Sequence, residues 1–433
     1  MSDLTLIGLI GVVLLVLCLA SGLPVAFSMM LVGFVGNVWV ASYDTAFSLL
    51  ISDLFSQFTS YPLTAILFFV LMGYLVEASG VNEKIFRAFS VVCGSTKSGL
   101  GFATIASCAG FAAICGSSVA TAATMGKICI PEMKKRGYDP TLAAGIAAAG
   151  GTLGPIIPPS NVFIVYGILA EQSIAKLFLT GIMPGLILAA LMCLSLLFIL
   201  RLRPALAVPG EKTSLASKLK AFISLFEVLL LFTFVVVGLV AGWFVPSQAG
   251  AMGIVGALAI GFLRGMTASR LVKATKEGVR VASGVMLLIA GAVIYGHFLG
   301  LTEIPTMLVE WVQRANLTRT QVLIFIILFY FVGGCIMDSL GFLILTMPVI
   351  LPLVKSLNID LIWFGTLIVL LTEIGTVTPP VGVNVYVVHQ SQPDIPMERV
   401  FVGAIWFLPA MFLTIVLLIL FPEIALFLPR VVM

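Results

Sequence analysis

Charge is scarce in this sequence. Asp, Glu, Lys and Arg make up 10% of its 433 residues, where a soluble domain carries about 25%. Hydrophobic residues make up 61%. Water cannot solvate such a chain as one soluble core. The alternative is lipid, where a spanning helix needs roughly 20 mostly apolar residues. Histidine is nearly absent: His297 and His389 are the only two, and they show no metal-ligand spacing. There is no HExxH helix, no P-loop and no GxSxG. The sequence therefore gives no support to an ATPase, an intramembrane zinc protease or any other enzyme. The seven cysteines (Cys18, Cys93, Cys108, Cys115, Cys129, Cys193, Cys335) form no CxxC pair. Most lie in apolar runs and read as small core residues. The net charge of +4 is modest and implies no nucleic acid. The first apolar run has no basic n-region or small-residue cleavage site, so it reads as a retained helix.

What is present is a series of apolar runs separated by short polar stretches. Ten read as spans: 4–21, 24–41, 63–79, 141–170, 178–200, 221–243, 247–263, 281–300, 361–390 and 401–422. Two further segments, 98–132 and 320–354, are interrupted near the middle by small polar clusters. These are Gly116-Ser117-Ser118 and Met337-Asp338-Ser339. Each half is read as too short to span comfortably, so each segment is expected to be a re-entrant helical hairpin. Non-helical backbone at membrane depth is tolerated only inside protein or beside a watery cavity. The hairpin tips are therefore expected at a site.

Lys and Arg set the orientation. Lys97, then Lys134, Lys135 and Arg136, flank the first hairpin. Arg201, Arg203, Lys212, Lys218 and Lys220 follow the fifth span, and Arg264, Arg270, Lys273, Lys276 and Arg280 follow the seventh. Counting crossings places all three clusters on one side, taken as cytoplasmic. The loops 42–62 and 244–246 carry no Lys or Arg and fall on the other side, with both termini.

A shift of 221 residues aligns the two halves. Ser118 meets Ser339, Pro131 meets Pro352, Lys134 meets Lys355 and Asp139 meets Asp360. Gly154 meets Gly375, and Pro158-Pro159 meets Pro379-Pro380. The matches fall on the polar tips and the Gly/Pro breaks. Five crossings separate the start of one unit from the start of the other, so the units run in opposite directions, as inverted repeats of secondary transporters do. The expected fold class is an all-α polytopic membrane protein with inverted repeats, about ten transmembrane helices and two re-entrant hairpins.

Each hairpin is followed by a span with a break, Gly150–Pro159 and Thr372–Pro380. Proline removes a donor and glycine lowers the cost of unwinding, so carbonyls are released in mid-span. Those carbonyls with Ser and Thr hydroxyls suit Na⁺, and half-helix N-termini suit an anion. Asp338 and Glu373 are the acids at the breaks, and an intramembrane carboxylate is functional by default. Ser117, Ser118 and Asp338 also suit helix capping, and Glu373 also reads as a structural acid. The candidate solute contacts are Ser118, Pro158 and Asn161 on one side and Ser339, Pro379 and Asn384 on the other. For the two asparagines interhelical bonding is an equal alternative. No arginine lies at either break. Glu227 and Lys127 read as snorkelling or paired charges.

The runs CGSSVATAATMGKICIPEMKKRGYDP (115–140), GGTLGPIIPPSN (150–161), DSLGFLILTMPVILP (338–352) and EIGTVTPPVGVNVYV (373–387) resemble the large membrane subunit of tripartite ATP-independent periplasmic (TRAP) transporters. The resemblance covers essentially the whole chain. It implies an elevator-type ion-transporter fold, driven by two or more Na⁺ ions, that imports an organic acid anion across a bacterial inner membrane. It implies two partners, a small four-helix membrane subunit and a periplasmic solute-binding protein, and termini on the periplasmic side. Residues 1–97 and 218–319, with a basic arm at 264–280, are then the scaffold. Residues 98–203 and 320–433 are the moving transport domain. Carried over from the family, one sodium site takes Gly116, Ser117, Ser118, Gly151 and Thr152. The other takes Asp338, Ser339, Gly375, Thr376 and Thr378. The competing readings are a self-sufficient sodium–dicarboxylate carrier of related fold and, more remotely, an ion channel.

Overall fold

A computed structural model describes residues 3–210, 213–223 and 225–433. Lys212 lies outside the described residues. Among them the chain is helical throughout, with no strand. The first half runs α1 (Asp3–Ala20), α2 (Val25–Val40), α3 (Tyr43–Thr59), α4 (Thr64–Ala78), α5 (Val81–Cys93), α6 (Gly99–Cys115), α7 (Ser118–Lys135), α8 (Pro140–Gly151), α9 (Asn161–Ala170) and α10 (Ile174–Leu202). A short helix, α11 (Leu215–Ile223), leads into the second half. That half runs α12 (Phe226–Val240), α13 (Pro246–Leu263), α14 (Ala268–Leu301), α15 (Ile304–Arg314), α16 (Arg319–Ile336), α17 (Ser339–Ser356), α18 (Leu361–Gly375), α19 (Val383–Ser391), α20 (Met397–Ile405), α21 (Leu408–Leu420) and α22 (Glu423–Val432).

The 221-residue shift now holds element by element. It carries α1 onto α12, α2 onto α13, α5 onto α15 and α6 onto α16. It carries α7 onto α17, α8 onto α18, α9 onto α19, and α10 onto α20 with α21. It also carries α3 and α4 together onto α14. There the halves differ for a readable reason. Pro62 interrupts the first copy, whereas the 34 residues of α14 run without a break. The shared aspartates are caps. Asp139 Oδ1 accepts from Thr141 N at 2.8 Å, and Asp360 Oδ1 accepts from Trp363 N at 2.9 Å. Each satisfies orphan donors at the start of its broken helix.

Seven described helices are long and apolar enough to cross a bilayer, or nine if the bent pairs α11–α12 and α20–α21 each count once. The ten expected spans are partly assembled from shorter pieces. Helix α2 has 16 residues, and 141–170 and 361–390 are each two helices flanking a break. The expectation that each hairpin half is too short fails for the second hairpin. Helices α16 and α17 have 18 residues each, about 27 Å at 1.5 Å per residue. Their doubling back is shown by contacts instead. Tyr330 Oη lies 2.8 Å from Thr346 Oγ1, and the ring of Phe342 packs on Phe329 and Tyr330. In the first hairpin Thr104 meets Met133 in the same antiparallel sense.

Three short amphipathic helices fall where loops or polar stretches were expected: α3 in the stretch 42–62, α5 and α15. Most of residues 264–280 form the first turns of α14. Apolar side chains such as Val16, Phe198, Phe262 and Phe325 face outward, as a lipid-embedded surface allows. Helices α8 and α18 form the axis of the molecule. Leu142 to Gly151 and Trp363 to Gly375 are buried without interruption. Around them pack α6, α7, α10, α16, α20 and α21, while α2, α4, α13 and α14 pack chiefly on one another. Glu227 is a paired charge, one of the two readings expected of it: it accepts from Lys84 Nζ at 2.9 Å and Arg264 Nε at 3.0 Å.

Candidate functional site

The first hairpin turns at Gly116, whose φ of +63° is left-handed. A side chain there would also strike the carbonyl of Pro159, 2.6 Å from the position of a Cβ, so glycine is required twice over. Ser117 then caps α7, its hydroxyl accepting from Ala120 N at 3.4 Å. Asn161 fastens this tip to the start of α9. Its side-chain amide donates to Cys115 O at 3.3 Å, and its backbone N–H donates to Gly116 O at 3.4 Å. The orphan carbonyls at the end of α6 are thus met by protein.

The second hairpin turns at Met337-Asp338. Asp338 caps α17, with Oδ2 accepting from Gly341 N at 3.2 Å. Ser339 follows it and donates its hydroxyl to Glu373 Oε1. Glu373 is 1% exposed, and its Oε2 has no hydrogen-bond partner. No Lys, Arg or His among the described residues pairs with it. Ser118 of the first tip approaches the same carboxylate. One acid therefore sits beneath both tip serines, which are mates under the 221-residue shift.

Behind the tips lie the two breaks, each with a cis bond between its paired prolines, Pro158-Pro159 and Pro379-Pro380. Thr152 Oγ1 donates to Ala149 O at 2.6 Å. Thr376 Oγ1 donates to Glu373 O and Thr378 Oγ1 to Ile374 O, both at 2.7 Å. Each hydroxyl spends its proton on a carbonyl, which leaves its oxygen lone pairs for a cation. Gly375 lies against the end of α16, where a Cβ would fall 2.1 Å from the Gly334 carbonyl carbon. Gly151 lies behind the first tip. A Cβ there would fall 3.0 Å from Ser118 O and 3.1 Å from Asn384 Nδ2. Asn384 ties the two breaks together, since its amide donates to Ala148 O at 3.4 Å and its backbone N–H to Thr376 O at 3.0 Å. Its Oδ1 is buried without a partner. Two unmet oxygens, on Glu373 and Asn384, thus lie at the breaks. A hard cation fits such an environment.

A cavity of about 80 Å³ opens between the tips. The structure brings Gly116, Ser117, Ser118, Asn161, Asp338 and Ser339 to its wall. Gly151, Thr152, Gly375, Thr376, Thr378, Pro158, Pro379 and Asn384 are not on that wall. The opposite wall is Val70 and Tyr74 of α4 with Val281 and Val285 of α14. Apolar residues inside apolar helices carry no sequence signal, so these four were not foreseen. Glu373 was visible as an acid at the break, but its place under both serines was not. Among the described residues no cationic side chain lines the cavity. A vestibule of about 520 Å³ shares Tyr74, Ser117, Asp338 and Leu340 with it and extends to Glu77, Thr124 and Lys127. Lys127 also lines a crevice of about 610 Å³ that reaches Lys135 and Arg136. Lys127 is thus common to the vestibule and to the crevice on the basic face.

The sequence model of the family described as "Tripartite ATP-independent periplasmic transporter, DctM component" matches residues 12–424. The chain is 31% identical to the C4-dicarboxylate TRAP transporter large permease protein DctM of Pseudomonas aeruginosa, over 91% of this chain and 92% of that one. It is 29% identical to the sialic acid TRAP transporter large permease protein SiaM of Vibrio cholerae, over 95% and 96%. Among solved structures, the Alcanivorax borkumensis YdaH transporter superposes with a TM-score of 0.64, at 14% identity over 87% of this chain and 88% of that one. That likeness concerns the fold.

Proposed function

Since the chain belongs to the TRAP transporter family as its DctM component, the large permease, we propose that it carries an organic acid anion inward, coupled to Na⁺, by an elevator movement of the two hairpins. Membership makes it a multi-pass subunit of a bacterial transporter, working with a small permease subunit and a periplasmic binding protein. The finer reading rests on one observation. Glu373 is a buried carboxylate with one unmet oxygen beneath both hairpin tips, and no cationic side chain among the described residues pairs with it. An ion of that kind is costly in an apolar interior unless a counter-charge joins it.

Sodium is a cargo ion here, and it supplies the positive charge that the site lacks. Glu373, Asp338, Ser339 and the hydroxyls of Thr376 and Thr378 are the second-repeat oxygens that would hold it. Ser117, Ser118, Gly151 and Thr152 would supply the first-repeat site, with Asn384 Oδ1 between them. The N-termini of α7 and α17 both face the cavity between the tips. With no Lys or Arg on its wall, a carboxylate solute is met by those helix ends and by the bound ions. Solute binding therefore depends on prior cation binding, which is the condition for coupled transport. The named relatives carry a C4-dicarboxylate and a sialic acid, both carboxylates, and we extend that class to this chain. The small subunit is taken as the four-helix partner of the fixed scaffold.

The test is uptake into proteoliposomes holding this chain and the small subunit, with the binding protein outside. A labelled dicarboxylate and a labelled sugar acid are the probes. Uptake should need both an inward Na⁺ gradient and the binding protein. Uptake with K⁺ alone would remove the sodium reading. Uptake without the binding protein would favour the self-sufficient carrier.

A further inference from the structure

The hairpins touch the surrounding helices α4 and α14 almost wholly through apolar side chains. Among the described residues, one side-chain hydrogen bond joins α4 or α14 to a hairpin helix. Thr124 Oγ1 of α7 donates to Glu77 Oε1 of α4 at 2.8 Å. At the equivalent positions of the second repeat the pair is Phe298 and Leu345. The next residue of interest, Lys127, becomes Pro348, which packs near Gly296 of α14, 3.5 Å from where its Cβ would lie. Among the described residues the second hairpin therefore meets α4 and α14 without a side-chain hydrogen bond, and the first has one.

Lys127 stands three residues beyond Thr124 on the same helix, toward the basic end. At 1.5 Å per residue that is about 4.5 Å along the axis. It lines the same vestibule as Glu77, and its charge reaches the Glu77 carboxylate. It forms no ion pair with any described residue. A movement of α7 by about one turn away from the basic face brings the Lys127 ammonium to the height of Thr124. A charge-assisted bond is roughly twice as strong as a neutral one, so the exchange of partners favours the displaced position.

We propose that Glu77 is the positioning residue that registers the first hairpin against the scaffold. It holds Thr124 while the site opens to the basic face and takes Lys127 once the hairpin has moved about one turn. This rests on the elevator reading above. Glu277 of α14 is the other acid beside Tyr74 and is the control acid for this assignment.

The experiment uses the whole transporter in proteoliposomes, with Val119→Cys at the first tip as an access probe. A membrane-impermeant thiol reagent is added from either side, and the parent without the probe is the blank. Glu77→Lys and Lys127→Glu should each slow uptake about tenfold and shift labelling of the probe toward the basic side. The double swap should restore both readouts to within about threefold. Thr124→Val should shift labelling toward the opposite side, because it removes only the first partner. Glu277→Gln should leave the labelling pattern as in the parent. A double swap no better than the worse single variant, or a labelling shift in Glu277→Gln with none in Glu77→Gln, would overturn the assignment. If the parent probe reacts from one side alone under every ion and solute condition, the moving-hairpin reading fails, and this pair with it. The parent measurement thus separates the two failures.

Discussion

The Ser339 hydroxyl donates to the Glu373 carboxylate, so the tip of the second hairpin is tied to the broken helix behind it. Because Ser118 approaches the same carboxylate from the other repeat, the tie breaks the symmetry of the fold. The residue in place of Glu373 in the first repeat is Thr152. The two halves share a backbone plan, but the charge belongs to only one.

Glu373→Gln is the first prediction that follows. Glutamine keeps the size and an acceptor for Ser339 while removing the buried charge. In Na⁺-free buffer the variant should be as stable as the parent or slightly more so, because the parent carboxyl must there either stay an uncompensated buried ion or take up a proton. Na⁺ should raise the Tm of the parent, and in the variant that gain should be at most half as large, since a ligand stabilises only what it binds. A thermal unfolding series in NaCl against KCl decides it. An undiminished sodium-specific Tm gain would show that Glu373 is not a cation contact.

Asp338 has two duties that substitutions can separate. Its carboxylate caps α17 through Gly341 N and also lines the cavity between the tips. Asp338→Asn keeps a capping oxygen and loses the charge. It should fold normally and need about tenfold more Na⁺ for half-maximal uptake. Asp338→Ala loses the cap as well, worth about 1 kcal/mol, and should lower Tm in addition. Equal sodium dependence in Asp338→Asn and parent would reduce Asp338 to a cap.

Much of this arrangement is legible in the sequence because it depends on backbone chemistry. The tips and breaks need Gly, Pro, Ser and Asp at fixed places, and those residues repeat at one offset. Ser118 and Ser339 can be read from that offset, and Gly116 and Asp338 from the polar interruptions of the two apolar segments; all four line one cavity. The partners across the cavity cannot. Val70, Val281 and Val285 look like any other residue of an apolar helix. Helices α3, α5 and α15 were hidden for the opposite reason, because short amphipathic stretches resemble polar loops when no span-length apolar run marks them. The length estimate also misled for α16 and α17: each half reads as too short to span, yet each helix has 18 residues, and the Tyr330–Thr346 contact packs the two antiparallel.

Close backbone contact at the second tip gives a packing prediction. A Cβ on Gly375 would lie 2.1 Å from the Gly334 carbonyl carbon, which is backbone and cannot rotate away. Gly375→Ala should displace the tip of α16 and cost about 1–3 kcal/mol of stability, as overpacking does. Gly300→Ala on α14 meets nothing within 4 Å and should be neutral or slightly stabilising, because alanine favours a helix. Tm measurements on the two purified variants compare them. A Gly375→Ala protein as stable as Gly300→Ala would mean that this approach is looser than the geometry indicates.

Topology offers the last prediction. The basic residues gather at the end of α7 and at the start of α14, where Lys134, Lys135, Arg136, Arg270, Lys273 and Lys276 lie. Loops rich in Lys and Arg stay in the cytoplasm. Helix α3, which has no Lys or Arg, packs on α14, and its Asp53 contacts His297 near the far end of that helix at 2.8 Å. That contact puts α3 at the end of α14 opposite Lys273 and Lys276. The expected result is therefore that α3 and both termini lie on the periplasmic side. Thiol labelling of intact cells should reach a cysteine placed at exposed Ser56 or after Met433 from outside. One placed at Lys135 or Lys273 should react only after permeabilisation. The hairpins do not change the crossing count, so the two termini must share a side. A C-terminus reachable only from the cytoplasm, with the N-terminus outside, would make the number of crossings odd. The two repeats could not then be inverted copies joined as described, and the alignment at 221 residues would lose its structural meaning.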